Sequence, residues 1–263
     1  MFEKRCKLCD QIVYQNYKLT NSEHLWYHCA CGCMFHESAS KPEEVFTAEY
    51  NKKLSEVKSH EERAKYFARV YGPLIEERIY GRKLLDVGFG TTVLMKEWED
   101  RGWIVDGIDV CPNEYITGNF ENYDFWKNTN TRYDLIWMGD VLQCFQDPVK
   151  AIYKAYNLLN PNGILFIVTP NTALMRANRV SGWGHWDQKE NKQFISYKQL
   201  KEIFGKCDED LTGRMKIIYS DENVTSKRFI TYSNMHVMAQ KQKIEDIMRI
   251  SDITVKEDQL TKL

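Results

Sequence analysis

Lys83-Leu-Leu-Asp-Val-Gly-Phe-Gly-Thr-Thr92 decides the reading of this chain. An apolar run ends in Asp86, Gly88 and Gly90 follow closely, and a helical pattern begins directly after them. A second apolar run, Val105-Asp-Gly-Ile-Asp-Val110, ends in Asp109. This pattern suits a nucleotide-type ligand at the edge of a parallel sheet. Glycines let the backbone approach the ligand, and an ionised carboxylate on the next strand accepts hydrogen bonds from both ribose hydroxyls. The dinucleotide spacing G-x-G-x-x-G is not met, because its third glycine would fall on Val93.

Outward from this stretch, strands and helices alternate. Residues 84–87 read as a buried strand, 92–101 as a helix stopped by Gly102, and 104–109 as the second strand. Residues 115–120 give a short third strand and 134–138 a fourth. An amphipathic helix over 148–159 follows, through Val149, Ile152, Ala155, Tyr156 and Leu159. Pro161-Asn-Gly163 turns the chain into a fifth strand at 164–169. Residues 196–204 read as a helix, 216–220 and 235–240 as final strands, and 234–240 as an antiparallel edge. Upstream, 60–79 has helical spacing, and Pro73 is expected to kink or restart that helix. Such alternation implies a parallel sheet with helices on both faces.

Composition narrows the function classes. The chain has 263 residues, 43% hydrophobic, with 36 basic against 37 acidic side chains. Near-balanced charge argues against nucleic acid as the default partner and leaves room only for a local basic patch. No apolar run approaches the roughly 18 residues of a membrane helix, and the N-terminus lacks a signal-peptide core. A soluble, cytoplasmic protein is expected.

Five of the eight cysteines (Cys6, Cys9, Cys29, Cys31 and Cys33) lie near the N-terminus. In a reducing compartment such clustering reads as a metal site rather than disulfides. A structural zinc ion wants four thiolate or imidazole ligands, and a module this short has little core of its own. Cys6 and Cys9 form one C-x2-C knuckle.

From about Gly81 to Asn171 the chain resembles class I S-adenosylmethionine (SAM) dependent methyltransferases, in particular the ubiquinone-type and sugar-type group. The resemblance rests on LLDVGFGTT at 84–92, VDGIDV at 105–110, YITGNFENYDF at 115–125 and YDLIWMGDVLQCFQDPVKAIYKAYNLLNPNGILFIVTPN at 133–171. It implies an α/β fold: a Rossmann-like, doubly wound, mostly parallel sheet with an antiparallel edge strand, plus a small N-terminal zinc ribbon such as many members carry. The expected parts are a zinc ribbon at 1–40, a helical linker or lid at 41–80, a methyltransferase domain at 81–242 and a charged tail at 243–263. The resemblance also implies site roles. Gly88 and Gly90 make the cofactor turn, Asp86 orients the cofactor's amino-acid portion, and Asp109 takes the ribose. Asn119 and Phe120 fall where the family contacts adenine. Met138, Gly139 and Asp140 face the methionine part and the acceptor. Thr92 stands where the family often has a third glycine, and its hydroxyl is placed to donate to the cofactor carboxylate. Ribbon-bearing relatives usually show C-x2-C-G at the second knuckle. Here Cys31-Gly32 fits, and either Cys29 in a tighter loop or His28 at normal spacing completes the set. Cys33 then takes an apolar hairpin position, and His36 is an outside candidate.

The acceptor is expected beyond the strand ends, near 138–145 and 171–195. Ser181-Gly-Trp-Gly-His-Trp-Asp187 offers Trp183 and Trp186 for stacking or for core packing, and His185 as a base with a near-neutral pKa. Asp140 is the second catalytic candidate and Glu190 a weaker one. Cys144 replaces a histidine common in relatives. Tyr50, Arg63 and Tyr66 lie in the lid segment. The expected activity is methyl transfer to a small molecule such as a sugar or nucleotide-linked sugar. The alternatives are an RNA- or protein-directed enzyme that uses the ribbon as reader, and a non-catalytic interaction module.

Overall fold

The computed structural model describes residues 4–13, 15–18, 25–36, 42–56, 58–111, 116–117, 120, 130–172, 185, 189–206, 214–225 and 233–242. The chain opens with short strands β1 (Lys4–Arg5), β2 (Ile12–Val13), β3 (Gln15–Lys18), β4 (Leu25–His28) and β5 (Met34–His36). Helices α1 (Pro42–Val45), α2 (Ala48–Ser55) and α3 (Lys58–Glu76) follow. Then come β6 (Lys83–Val87), α4 (Val93–Glu99), β7 (Ile104–Asp109), β8 (Ile116–Thr117) and β9 (Tyr133–Gly139). The chain continues through α5 (Pro148–Leu158), β10 (Leu159–Pro170), β11 (Gln193–Phe194) and α6 (Tyr197–Phe204) to β12 (Met215–Thr225) and β13 (Ser233–Lys241).

The central sheet has the order β12-β13-β10-β9-β6-β7-β8. From β8 to β10 neighbouring strands run parallel, and β13 and β12 are antiparallel additions. The expected Rossmann-like sheet is therefore present. The antiparallel strand over 234–240 is also present, but it is not the edge: β12 covers it, and β12 is the edge. Two further expectations are corrected. Pro73 does not restart α3, which runs through it to Glu76; proline there forgoes a single backbone bond to the preceding turn. The turn at Pro161-Asn-Gly163 is an irregularity inside β10, where the register with β9 slips between Leu159 and Ile164 and Asn162 takes a positive φ. Of the expected third strand at 115–120, Ile116 and Thr117 are described as strand and form β8.

Side chains alternate across the sheet because successive strand residues point to opposite faces. Leu85, Val87, Ile136, Met138, Leu165 and Ile167 pack in one cluster with residues of α5 and α6. Leu84, Leu135, Trp137, Ile164, Phe166 and Val168 pack in the other with Phe67, Tyr71, Ile75 and Trp98 of α3 and α4. The first cluster also takes in Cys6, Val13, Cys29, Cys33 and Phe35, so the N-terminal strands share a core with the sheet. Among the described residues, no helix is long and apolar enough to cross a membrane.

Helix ends follow local chemistry. Asp147 caps α5 by accepting from Lys150 N at 2.9 Å, with Pro148 next in line, and Ser196 caps α6 by accepting from Gln199 N at 3.3 Å.

Candidate functional site

In chain order β6, β7 and β8 run to one side, whereas β9 and β10 lie on the other. The switch falls between β6 and β9, and a crevice outside the strand ends is where such sheets bind ligands. Asp86 and Gly88 stand at the end of β6, Asp109 at the end of β7, and Gly139 and Asp140 at the end of β9.

Gly88 (φ +71) and Gly90 (φ +55) adopt the left-handed conformation that only glycine takes at little cost. A Cβ on Gly88 would also lie 2.5 Å from Val141 Cγ2. Gly88 N donates to Ile108 O at 2.8 Å, which ties the turn to β7. Thr92 is the first residue before α4, yet its hydroxyl makes no capping bond to that helix.

Asp86 is 2% exposed, and among the described residues its Oδ2 has no hydrogen-bond partner. Burial, and then the neighbouring Asp109 charge, push its carboxyl up to about 8. A buried polar atom without a partner is costly, so a donor-bearing ligand is what this atom lacks. Asp109 is also buried, and its two oxygens accept from Gly90 N and Cys111 N, each at 2.9 Å. These bonds fix the carboxylate and leave each oxygen a second lone pair for the ribose hydroxyls expected from sequence.

Met138 is fully buried among core residues. At Gly139 a Cβ would meet Trp137 Nε1 at 2.6 Å. Phe120 is buried too, stacked 6.2 Å from Phe145 and beneath Lys154, whose Nζ also donates to the Phe120 carbonyl at 2.6 Å. Asn119, Trp183, Trp186 and the 243–263 tail lie outside the described residues.

Asp140 takes a positive φ, a conformation uncommon for a non-glycine residue and held here by its neighbours. Its N donates to Val168 O at 2.9 Å and its carbonyl accepts from Gln143 Nε2 at 2.8 Å. Its carboxylate meets Arg63 at 2.5 Å and accepts from Asn234 Nδ2 at 2.7 Å. Arg63 thus reaches from α3 to the end of β9. Tyr50 of α2 donates to Glu190 at 3.1 Å. Cys144 is buried, and its thiol is held well above its ordinary range by burial first and then by the nearby Glu190 and Asp140 carboxylates. His185 is 4% exposed, with its ring 6.3 Å from Phe194 and its carbonyl accepting from Asn191 Nδ2. Tyr66, by contrast, is exposed and tilted toward Phe67.

The N-terminal cysteines converge. The Sγ atoms of Cys6, Cys9, Cys29 and Cys31 all lie within 4.8 Å of one another, with Cys6–Cys31 at 3.8 Å and Cys9–Cys29 at 3.4 Å. Four thiolates about 2.3 Å from one zinc ion would stand roughly 3.8 Å apart. Each knuckle turns through a positive-φ residue just after its second cysteine: Asp10 (φ 56) after Cys9, and Gly32 (φ 91) after Cys31. His28 lies in β4 outside this group, Cys33 Sγ faces Ser196 Oγ at 3.8 Å, and His36 Nε2 lies 2.6 Å from the Asn191 carbonyl. Sequence reasoning passed over Asn191, Asn234 and Gln143, because no spacing marks a lone buried amide. Ser196 carried a signal, since a serine before a helical run is a capping signature.

Residues 59–208 match the family model described as a methyltransferase domain, and the chain belongs to that family. It is similar to the ubiquinone biosynthesis O-methyltransferase of Glaesserella parasuis serovar 5 (strain SH0165), 32% identical over 111 residues, or 35% of this chain and 47% of that protein. A malonyl-[acyl-carrier protein] O-methyltransferase of Serratia marcescens is 22% identical over 177 residues, covering 62% of this chain and 63% of that protein. The chain spans about half the length of the first of these relatives. Among solved structures it is similar to a SAM dependent methyltransferase from Archaeoglobus fulgidus (TM-score 0.52, 16% identity, 72% of this chain and 99% of that one). It also resembles the plantazolicin methyltransferase BamL in complex with triazolic desmethylPZN analog and SAH (TM-score 0.50, 12% identity, 74% and 89% covered). At these identities the solved structures show the fold alone.

Proposed function

We propose that this protein is a SAM-dependent methyltransferase acting on a small molecule, with a structural zinc ion in its N-terminal ribbon. The observation that carries the reading is the edge formed by Asp86, Gly88, Gly90 and Asp109, in which a buried carboxyl oxygen lacks a partner beside a glycine turn. Bound SAM would supply a methyl group on its sulfonium for in-line attack by the acceptor, with the neutral thioether S-adenosylhomocysteine as leaving group. The chain's own work is alignment, a proximity effect. Asp109 holds the ribose, Asp86 the amino-acid end, and Thr92 offers its hydroxyl to the carboxylate. Asn119 and Phe120 border the adenine, and Met138 and Gly139 form the floor.

A hydroxyl acceptor must also lose its proton. Of the two carboxylates beside Cys144, Asp140 is already shared by Arg63 and Asn234 and serves as a fixed charge. Glu190, held by the Tyr50 hydroxyl, is the better proton acceptor. His185 is buried and packed against Phe194. Cys6, Cys9, Cys29 and Cys31 would hold the zinc ion, which contributes to folding rather than to chemistry. The ubiquinone biosynthesis O-methyltransferase relative supports a small acceptor, as does the balanced charge of the chain.

Calorimetric titration with SAM and with its demethylated product tests the reading. Micromolar binding of both is expected, reduced at least tenfold in Asp109→Ala through the lost ribose bonds. Binding that is unchanged in Asp109→Ala would refute the assigned pocket. No binding to folded protein would favour the non-catalytic module.

A further inference from the structure

We propose that the ribbon is a positioning element of the methyl-transfer site. His36 clasps the Asn191–Lys192–Gln193 strap, and filling the four-cysteine site thereby fixes the acceptor side of the pocket. The inference rests on the reading of the Asp86–Asp109 edge given above.

The strap has the ribbon along one side. β11 pairs antiparallel with β5, Gln193 opposite Phe35 and Phe194 opposite Met34. His36 N donates to Lys192 O at 3.1 Å. His36 Nε2 lies 2.6 Å from Asn191 O; a carbonyl only accepts, so Nε2 carries the proton. The Trp26 indole stacks on Phe194 at 4.9 Å and meets the His36 ring edge-on at 4.5 Å. Two residues further on, Ser196 Oγ donates to Cys31 O at 2.9 Å and Ser196 N donates to Cys33 Sγ at 3.4 Å. The same serine caps α6. The second cysteine knuckle is therefore bonded directly to the segment that leads out of the strap.

Along its other side the strap meets the loop after β9. Lys192 N donates to Gln143 O at 2.9 Å, and Gln193 Nε2 donates to Phe145 O at 2.5 Å. Asn191, fully buried, donates through Nδ2 to His185 O at 2.9 Å and faces Cys144 Sγ at 3.9 Å through Oδ1. Gln143 in turn holds the Asp140 carbonyl and accepts from Thr169 Oγ1 at 3.1 Å. Glu190, next to Asn191, holds Tyr50 of α2. The strap is thus one strand wide between the cysteine knuckles and the loop that carries Asp140 and Cys144. Short strands with so little core do not keep their shape alone. With the cysteines unligated, the Cys31 turn loosens and releases Ser196 and β11.

The test is amide hydrogen exchange on the full zinc-loaded chain, with calorimetry of the demethylated cofactor alongside. His36→Ala is expected to keep about one zinc per chain and to speed exchange across 190–194 at least tenfold. His36→Gln, whose amide can donate to Asn191 O, restores protection. Removing zinc from the wild type with a chelator is expected to expose the same residues; this arm needs no variant to fold. Unchanged exchange over 190–194, either in zinc-loaded His36→Ala or in the chelated wild type, overturns the proposal. A wild type that binds no cofactor yet shows the expected exchange changes would instead defeat the methyltransferase reading and leave the clamp standing.

Discussion

The central sheet and the cysteine ribbon are held together by opposite means. In the sheet, Trp137 stacks on Phe166 at 4.2 Å between α3 and the strands, and nearly every inward side chain is below 2% exposure. Apolar burial of that extent sustains a fold by itself. In the ribbon the described strands have two to four residues each, and the central feature is four sulfur atoms within 4.8 Å. There, order comes from docking against Phe194 and Ser196 and, under the proposed zinc reading, from what those sulfurs would bind. One region is stable by volume, the other by a few directional bonds.

The sharpest way to break this contrast is Trp137→Ala. Emptying the aromatic stack is expected to cost about 3–5 kcal/mol and to lower the thermal midpoint of the whole chain, ribbon included, since the two share a core. A small loss, or a ribbon that melts separately and unaffected, would mean that the regions are more independent than the packing implies. Cys9→Ser should act in the other direction. Zinc content is expected to fall from about one per chain to near none. Amide protection should then be lost over 4–36 and 190–194 but kept at 164–168 and 235–239. Retained zinc would exclude Cys9 as a ligand.

The smallest effect separates the two regions electrostatically. Asp86 sits at about 8 instead of 3.8, with burial the main cause. The folded protein therefore keeps a proton that the unfolded chain releases between about pH 4 and 8, and ligand-free stability should decline as pH rises through that window. A ligand whose ammonium meets Asp86 favours the carboxylate, so binding near pH 7 should release up to about one proton. Calorimetry in buffers of different ionisation heat would measure it. The release should vanish in Asp86→Asn and above about pH 9. Uptake of a proton would reverse the assigned role of Asp86.

What the sequence made legible follows from the same contrast. β7 and α6 fall within a residue of their expected bounds, because apolar periodicity and caps are local signals. The acid–glycine stretch likewise placed Asp86, Gly88 and Asp109 at one edge. The Arg63–Asp140 pair and the Asn234–Asp140 bond could not be read this way, since they join residues far apart through single polar contacts. β12 was read only over 216–220, and its place outside β13 was not read: its register slips twice, which blurs the alternation along its length. Spacing at the second knuckle left Cys29 and His28 level. The tight turn closed by Gly32 N donating to Cys29 O brings Cys29 to the sulfur group, leaving His28 in β4.

The pairing of β5 with β11 also sets a timetable. Met34 meets Phe194 across about 160 residues of intervening chain. As the protein emerges from the ribosome, the cysteine ribbon is made long before the strand that completes it. The cysteines can gather as soon as they are exposed, but Trp26 and the edge of β5 must wait for Phe194, which follows five strands of the central sheet. Until then an apolar face and an open strand edge are on view, the state in which nascent chains are most prone to wrong partners. Early capture of a metal ion would keep that waiting module in one shape until the rest of the chain arrives.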